Sequence, residues 1–147
     1  MIGRALNPRA QVRAHLALAR RLDAHGSRMA RGAANLVRYR LARCWGVYIH
    51  PSARVGDVWF AHPTAVVIGA GAVVEDGVTL YQGVTLGAKD NDEGRYPVVR
   101  TGSTVYAGAV VIGGVTIGPD ATVGANSVVT IDVPRGATAV GAPARLL

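Results

Sequence analysis

The sequence predicts a mainly β protein, a parallel β-helix preceded by a short helical segment, and three observations carry that prediction. The first is a strict six-residue recurrence of aliphatic residues: Val99, Val105, Val111, Ile117, Val123 and Val129. A period of six is neither the 3.6 of a helix nor the alternation of a hairpin sheet; it marks the hexapeptide-repeat solenoids. The second is the company these residues keep. Ser103, Ala109, Val115, Ala121 and Ser127 stand two positions before successive rungs, and Gly118 and Gly124 directly follow two of them. The third is composition: 50% of the 147 residues are hydrophobic but only 5% aromatic, with 19 glycines. Stacked aliphatic rungs with small residues at the corners satisfy all three.

Residues 1–47 read as a basic amphipathic helical segment. Pro8 suits a helix start and Gly26-Ser27 a break. Val12, Leu16, Ala19 and Leu22 recur at helical spacing, and a second stretch from about Met29 to Cys44 carries the stripe Ala33, Val37, Leu41 and Cys44. Residues 1–45 hold ten Arg against one acid, Asp23, while residues 46–147 hold six basic and eight acidic residues. A basic segment beside a near-neutral body argues against a nucleic-acid-binding domain. Two short helices packed on each other, on the solenoid or on a neighbouring subunit are expected. The sharper expectation is peripheral contact of residues 1–45 with a membrane surface or an anionic polymer.

Residues 48–147 read as the β-helix itself. The beat opens at Ile49 and Val55, then runs Ile68, Val74, Leu80 and Leu86. The interval from Val55 to Ile68 is thirteen, one more than two units, and His62 sits in that break. Three hexapeptides make one triangular turn, so residues eighteen apart stack, Ile68 on Leu86 and Val99 on Ile117. About four turns are expected, each rising ~4.8 Å. Between Leu86 and Val99 the beat stops for a polar stretch, residues 88–97, a loop thrown out from one corner and a common carrier of function.

Four histidines bear on chemistry. His15 and His25 lie in the basic segment and are expected in solvent, and His50, before Pro51, is expected to stabilise a turn. At the phase break, His62 is either a polar residue tolerated at an irregular corner or an outward imidazole suited to taking a proton from a hydroxyl. The single cysteine, Cys44, excludes an internal disulfide framework and a cysteine metal cluster. A zinc site of three histidines is short of ligands in a solenoid that holds only His50 and His62. No metal is therefore expected. With a reduced thiol, no recognisable signal peptide and no apolar run of membrane-spanning length, the cytoplasm is the default location.

The blocks Ile49-His50-Pro51-Ser52-Ala53-Arg54-Val55-Gly56, His62 to Gly69 and Gln82-Gly83-Val84-Thr85-Leu86-Gly87 resemble the serine acetyltransferase family, as does the ending Gly141-Ala142-Pro143-Ala144-Arg145. The likeness covers roughly residues 36–147. It implies a left-handed parallel β-helix, assembly as a homotrimer, and acetyl-CoA as co-substrate in a groove between subunits. It further implies that His62 is the catalytic base, that Gly87, Ala107 and Ala125 line the pantetheine arm, and that Arg145 meets cofactor phosphate. Arg95 matches the family's loop arginine, which holds a substrate carboxylate.

Three positions depart from the family pattern. Ala61 stands where an Asp precedes the catalytic His, Tyr96 where the loop carries a second His, and Tyr48 where an Asp orients the imidazole. Tyr48 or Tyr96 then becomes the expected partner of His62. The short helical start and the lack of a tail after Leu147 also differ from the biosynthetic enzymes. These departures turn the expected acceptor from serine towards a saccharide hydroxyl, resembling the O-acetyltransferases of capsule and exopolysaccharide synthesis. Serine O-acetylation in cysteine biosynthesis is the alternative, and a catalytically inactive assembly or regulatory β-helix is the reading from another class.

Overall fold

The computed structural model describes residues 7–89 and 94–147. Helix α1 (Pro8–His25) begins where Asn7 accepts a hydrogen bond from the Arg9 N–H, and ends at Gly26, left-handed at φ 74°. Helix α2 (Arg28–Trp45) repeats the device with Ser27 accepting from the Ala30 N–H and Gly46 closing at φ 64°. Neither is long and apolar enough to cross a membrane.

Five coils follow. The first contains β1 (Val47–Ile49), β2 (Arg54–Val55) and β3 (Trp59–Phe60); the second β4 (Val66–Ile68), β5 (Val73–Val74) and β6 (Thr79–Leu80). The third contains β7 (Thr85–Gly87), β8 (Val98–Val99) and β9 (Thr104–Val105), and the fourth β10 (Val110–Ile112), β11 (Thr116–Ile117) and β12 (Thr122–Val123). The fifth has β13 (Val128–Val129), a bridge from Val133 to Ile117, and β14 (Thr138–Gly141). Strand β15 (Ala144–Leu146) then turns back antiparallel on β14. Equivalent strands of successive coils pair in parallel, giving three flat faces. The sequence suggests about four turns because the β1 coil, with its irregular spacing, disguises a fifth.

Register bears out the eighteen-residue rule: Ile68 lies on Leu86 and Val99 on Ile117. All six residues of the Val99-to-Val129 beat are 0% exposed. Ser103 and Ser127 are buried with them, and both are satisfied. The Ser103 hydroxyl lies 2.7 Å from the Arg100 carbonyl and 2.8 Å from that of Gly118, and Ser127 accepts from the Gly141 N–H at 3.1 Å. Burial of small hydroxyls at corners therefore carries no unpaired polar cost.

The break near His62 has two parts. From Val55 the next inward residue is Phe60, five positions on, and from Phe60 the next is Ile68, eight on. On the coil below, Val74, Leu80 and Leu86 keep steps of six. One residue is missing from the β2–β3 corner and two are added to the β3–β4 corner. Ala61 still donates to the Leu80 carbonyl, and Thr64 still accepts from the Gly83 N–H, so the added pair is His62-Pro63.

The helices sit over the first coil. Val12, Leu16 and Leu41 share one core with Val47, Ile49 and Phe60. The α1 stripe is as expected at Val12, Leu16 and Ala19, with Leu22 half-buried. The α2 stripe is corrected: Ala34 and Leu41 are buried, while Ala33 and Cys44 are exposed. The helix turns towards both α1 and β1, and a seven-residue step meets that double contact better than the predicted line. His15 is also corrected: its ring packs 5.3 Å from that of Trp45, and its Nδ1 lies 2.7 Å from the Gln11 carbonyl. His50 behaves as expected, its Nδ1 receiving the Ser52 N–H at 3.2 Å within the turn.

Candidate active site

His62 is exposed at the bulged β3–β4 corner. Because Phe60 and Ile68 both point inward, the two extra residues between them have no room in the core and are pushed outward. A cleft of about 480 Å³ beside it is lined by Pro8, Cys44, Trp45, Gly46, His62, Pro63 and Thr64, so the end of α2 walls one side.

The corners stacked below carry Gln82, then Ala107, then Ala125. At these positions the coil-to-coil bonds are made by the following residue: Gly83 donates to Thr64, Gly108 to Gln82 and Asn126 to Ala107. The amide N–H groups of Gln82, Ala107 and Ala125 consequently have no partner among the described residues. They form a column of unpartnered donors about 4.8 Å apart. Arg145, on β15, lies beside Val140 at the foot of the same edge. Thus His62, Ala107, Ala125 and Arg145 share one edge of the prism.

Gly87, Arg95 and Tyr96 occupy a different edge. Gly87 pairs with Ile112 at the end of the β1–β4–β7–β10–β13 face. The Tyr96 ring lies against the backbone of Gly69 and Gly71, where an added Cβ at either glycine would sit 2.7 Å from it. Arg95 packs over Gly114 and, with Lys89, lines a pocket of about 280 Å³ that includes Ile112, Gly113, Val115 and Thr130. The part of loop 88–97 at positions 90–93 lies outside the described residues. One protomer therefore does not bring Arg95 or Tyr96 to His62. The first face separates them.

Neither expected partner of His62 is in place. Tyr48 points outward from β1 at 48% exposure, and Tyr96 is held at the other edge. The ring that meets His62 is Tyr81, at 6.2 Å between centroids and tilted by 59°. Tyr81 in turn stacks on Tyr106 at 4.9 Å and 29°. Sequence reasoning missed this pair although the signal was present. Tyr81 and Tyr106 are 25 residues apart, and Leu86 to Val99 is thirteen where a plain repeat has six. Taking out the seven inserted residues leaves eighteen, one full coil.

Among the described residues no group of three or more His, Cys, Asp or Glu is placed to hold a metal ion.

No family model matches the sequence. The chain is 40% identical over 110 residues to the serine acetyltransferase of Haemophilus influenzae, covering 74% of this chain and 41% of that protein. The serine acetyltransferase of Brucella abortus in complex with coenzyme A superposes with a TM-score of 0.83 at 36% identity, over 92% of this chain and 54% of that one. Soybean serine acetyltransferase complexed with serine gives a TM-score of 0.84 at 40% identity, over 97% and 58%.

The chain belongs to the serine acetyltransferase-like hexapeptide-repeat family. It spans less than half the length of the Haemophilus relative, so the likeness is to part of that protein.

Proposed function

We propose that this chain is an acetyl-CoA-dependent O-acetyltransferase acting by direct transfer. The single observation that carries the proposal is the edge on which an outward imidazole stands above a column of unpartnered backbone N–H groups. The small side chains of Ala107 and Ala125 let a pantetheine arm approach, and their N–H groups suit its amide carbonyls. Arg145, exposed at the foot of the edge, suits a phosphate. The Brucella relative bound to coenzyme A supports the same co-substrate.

In the reaction, His62 accepts the proton of the acceptor hydroxyl as that oxygen attacks the thioester carbonyl. The tetrahedral intermediate collapses with loss of the coenzyme A thiolate, and the imidazolium returns the proton to sulfur. No covalent enzyme intermediate is involved. His62 is the catalytic residue; Arg95 and Tyr96 are assigned to acceptor binding and reach it from a neighbouring copy. This assignment calls for a homotrimer, in which three copies packed edge to edge would set the Arg95 edge of one beside the His62 edge of the next.

The named relatives support serine as acceptor. A second reading, a saccharide hydroxyl, is favoured by Ala61 and Tyr48, which stand where the family pattern has Asp, and by Tyr96, which stands where it has a second His. Thiol release from acetyl-CoA with serine and with simple glycosides as acceptors tests both. Release that depends on an acceptor and on His62 is expected; no release with any acceptor refutes the assignment.

A further inference from the structure

Helix α2 buries one face and leaves another, also partly apolar, in solvent. Ala34 and Leu41 are inside, whereas Met29, Leu36 and Tyr39 on the far side are 88%, 62% and 60% exposed. Steps of seven and three place these side chains in one strip along the helix rather than scattered over the surface. Arg28, Arg31, Arg40 and Arg43 are exposed around the strip, and α2 contains no acid. Other arginines of the segment are engaged: Arg13 holds Asp57, Arg9 lies 5.7 Å from the centre of the Trp59 ring, and Arg38 holds Asp23. None of the four around the strip pairs with a carboxylate among the described residues. Arg28 opens the helix, where the helix dipole disfavours a cation, so an anionic neighbour there would offset a built-in cost.

We propose that the outward face of α2 docks on a bilayer surface that contains anionic lipid. Met29, Leu36 and Tyr39 enter the headgroup boundary, and the arginines around them meet the lipid phosphates and carboxylates. A second copy of the chain is a poor occupant, because two such faces meeting about a twofold axis would gather eight guanidinium groups without an acid. A soluble polyanion would take the arginines and leave the apolar strip in water. A bilayer surface accepts both. The strip lines no part of the His62 cleft, so docking and chemistry are separable.

The test is flotation of the full chain with vesicles of phosphatidylcholine alone and of phosphatidylcholine mixed with phosphatidylserine. Binding to the mixed vesicles only is expected, weakening as salt is raised. Arg40→Gln should lower partition about fivefold. Leu36→Ser should lower it about tenfold. Both should keep the wild-type melting temperature. Arg135→Gln, the same change of charge at an exposed position after β13 on the fifth coil, should leave partition unchanged. No binding to the mixed vesicles, equal binding to the neutral ones, or an equal loss in Arg135→Gln overturns the proposal. Partition undiminished in Leu36→Ser makes the contact one of charge alone and overturns the bilayer as occupant. Sedimentation without lipid covers the remaining case: a changed oligomeric state in Leu36→Ser assigns the strip to another copy and also overturns it.

Discussion

Phe60 and Ile68 enter the same core eight residues apart, whereas Leu80 and Leu86, directly beneath them, are six apart. The surplus is His62-Pro63, and it makes an outward side chain there a consequence of the register. Excising residues 62 and 63 together should restore a six-residue step, leaving the melting temperature within a few degrees while removing acetyl transfer. His62→Ala alone should lower kcat by about 10²–10⁴, the usual worth of a general base, at unchanged stability. Thermal melts beside thiol-release assays check both.

Gly108 and Gly32 should answer the same substitution with opposite signs. Gly108 holds φ +69°, and a Cβ there would meet the Asn126 Oδ1 at 2.2 Å. Gly108→Ala should cost about 1–2 kcal/mol for the left-handed backbone alone. Gly32 lies inside α2 with nothing within 4 Å of an added Cβ. Gly32→Ala should stabilise by about 0.5–1 kcal/mol. Urea unfolding midpoints measure both.

Leu86 is 0% exposed, with Ile68 and Val111 stacked on either side of it. Coil-on-coil packing leaves little freedom to collapse around a smaller side chain. Leu86→Ala should lower stability by about 2–5 kcal/mol, with the denaturant slope unchanged.

Glu75 lies on the third edge, away from the site. Its carboxyl is held below its ordinary 4.5, first by the Arg100 guanidinium at 2.7 Å and then by the Thr101 N–H at 3.0 Å. The folded state therefore binds this proton less readily than the unfolded chain. The resulting stability is present above pH 4.5 and drains away as pH falls through the folded value. The melting-temperature gap between wild type and Glu75→Gln should be small at neutral pH, because the pair is exposed, and should close in acid.

Much of this was legible because a solenoid converts sequence spacing directly into height. The rungs at Val99, Val105 and Val111, and the stacking of Ile68 on Leu86, follow from a count of six and eighteen. The irregular first coil was not legible in detail. A deletion between Val55 and Phe60 and an insertion before Ile68 sum to one surplus residue, and only the inward Phe60 separates them. In α2, Ala33 and Ala34 are equally plausible inward residues by period, and contact with α1 and β1 selects Ala34.

By itself the sequence determined the β-helix, the helical start and His62 as the outlier, since each depends on local spacing. Tertiary structure alone decided which groups share an edge. His62, Ala107, Ala125 and Tyr81 do, while Arg95 and Tyr96 stand across a face from them. The reason is physical: distance along the chain fixes the coil and the corner, but what meets an exposed imidazole depends on which side chains leave neighbouring coils in the same direction.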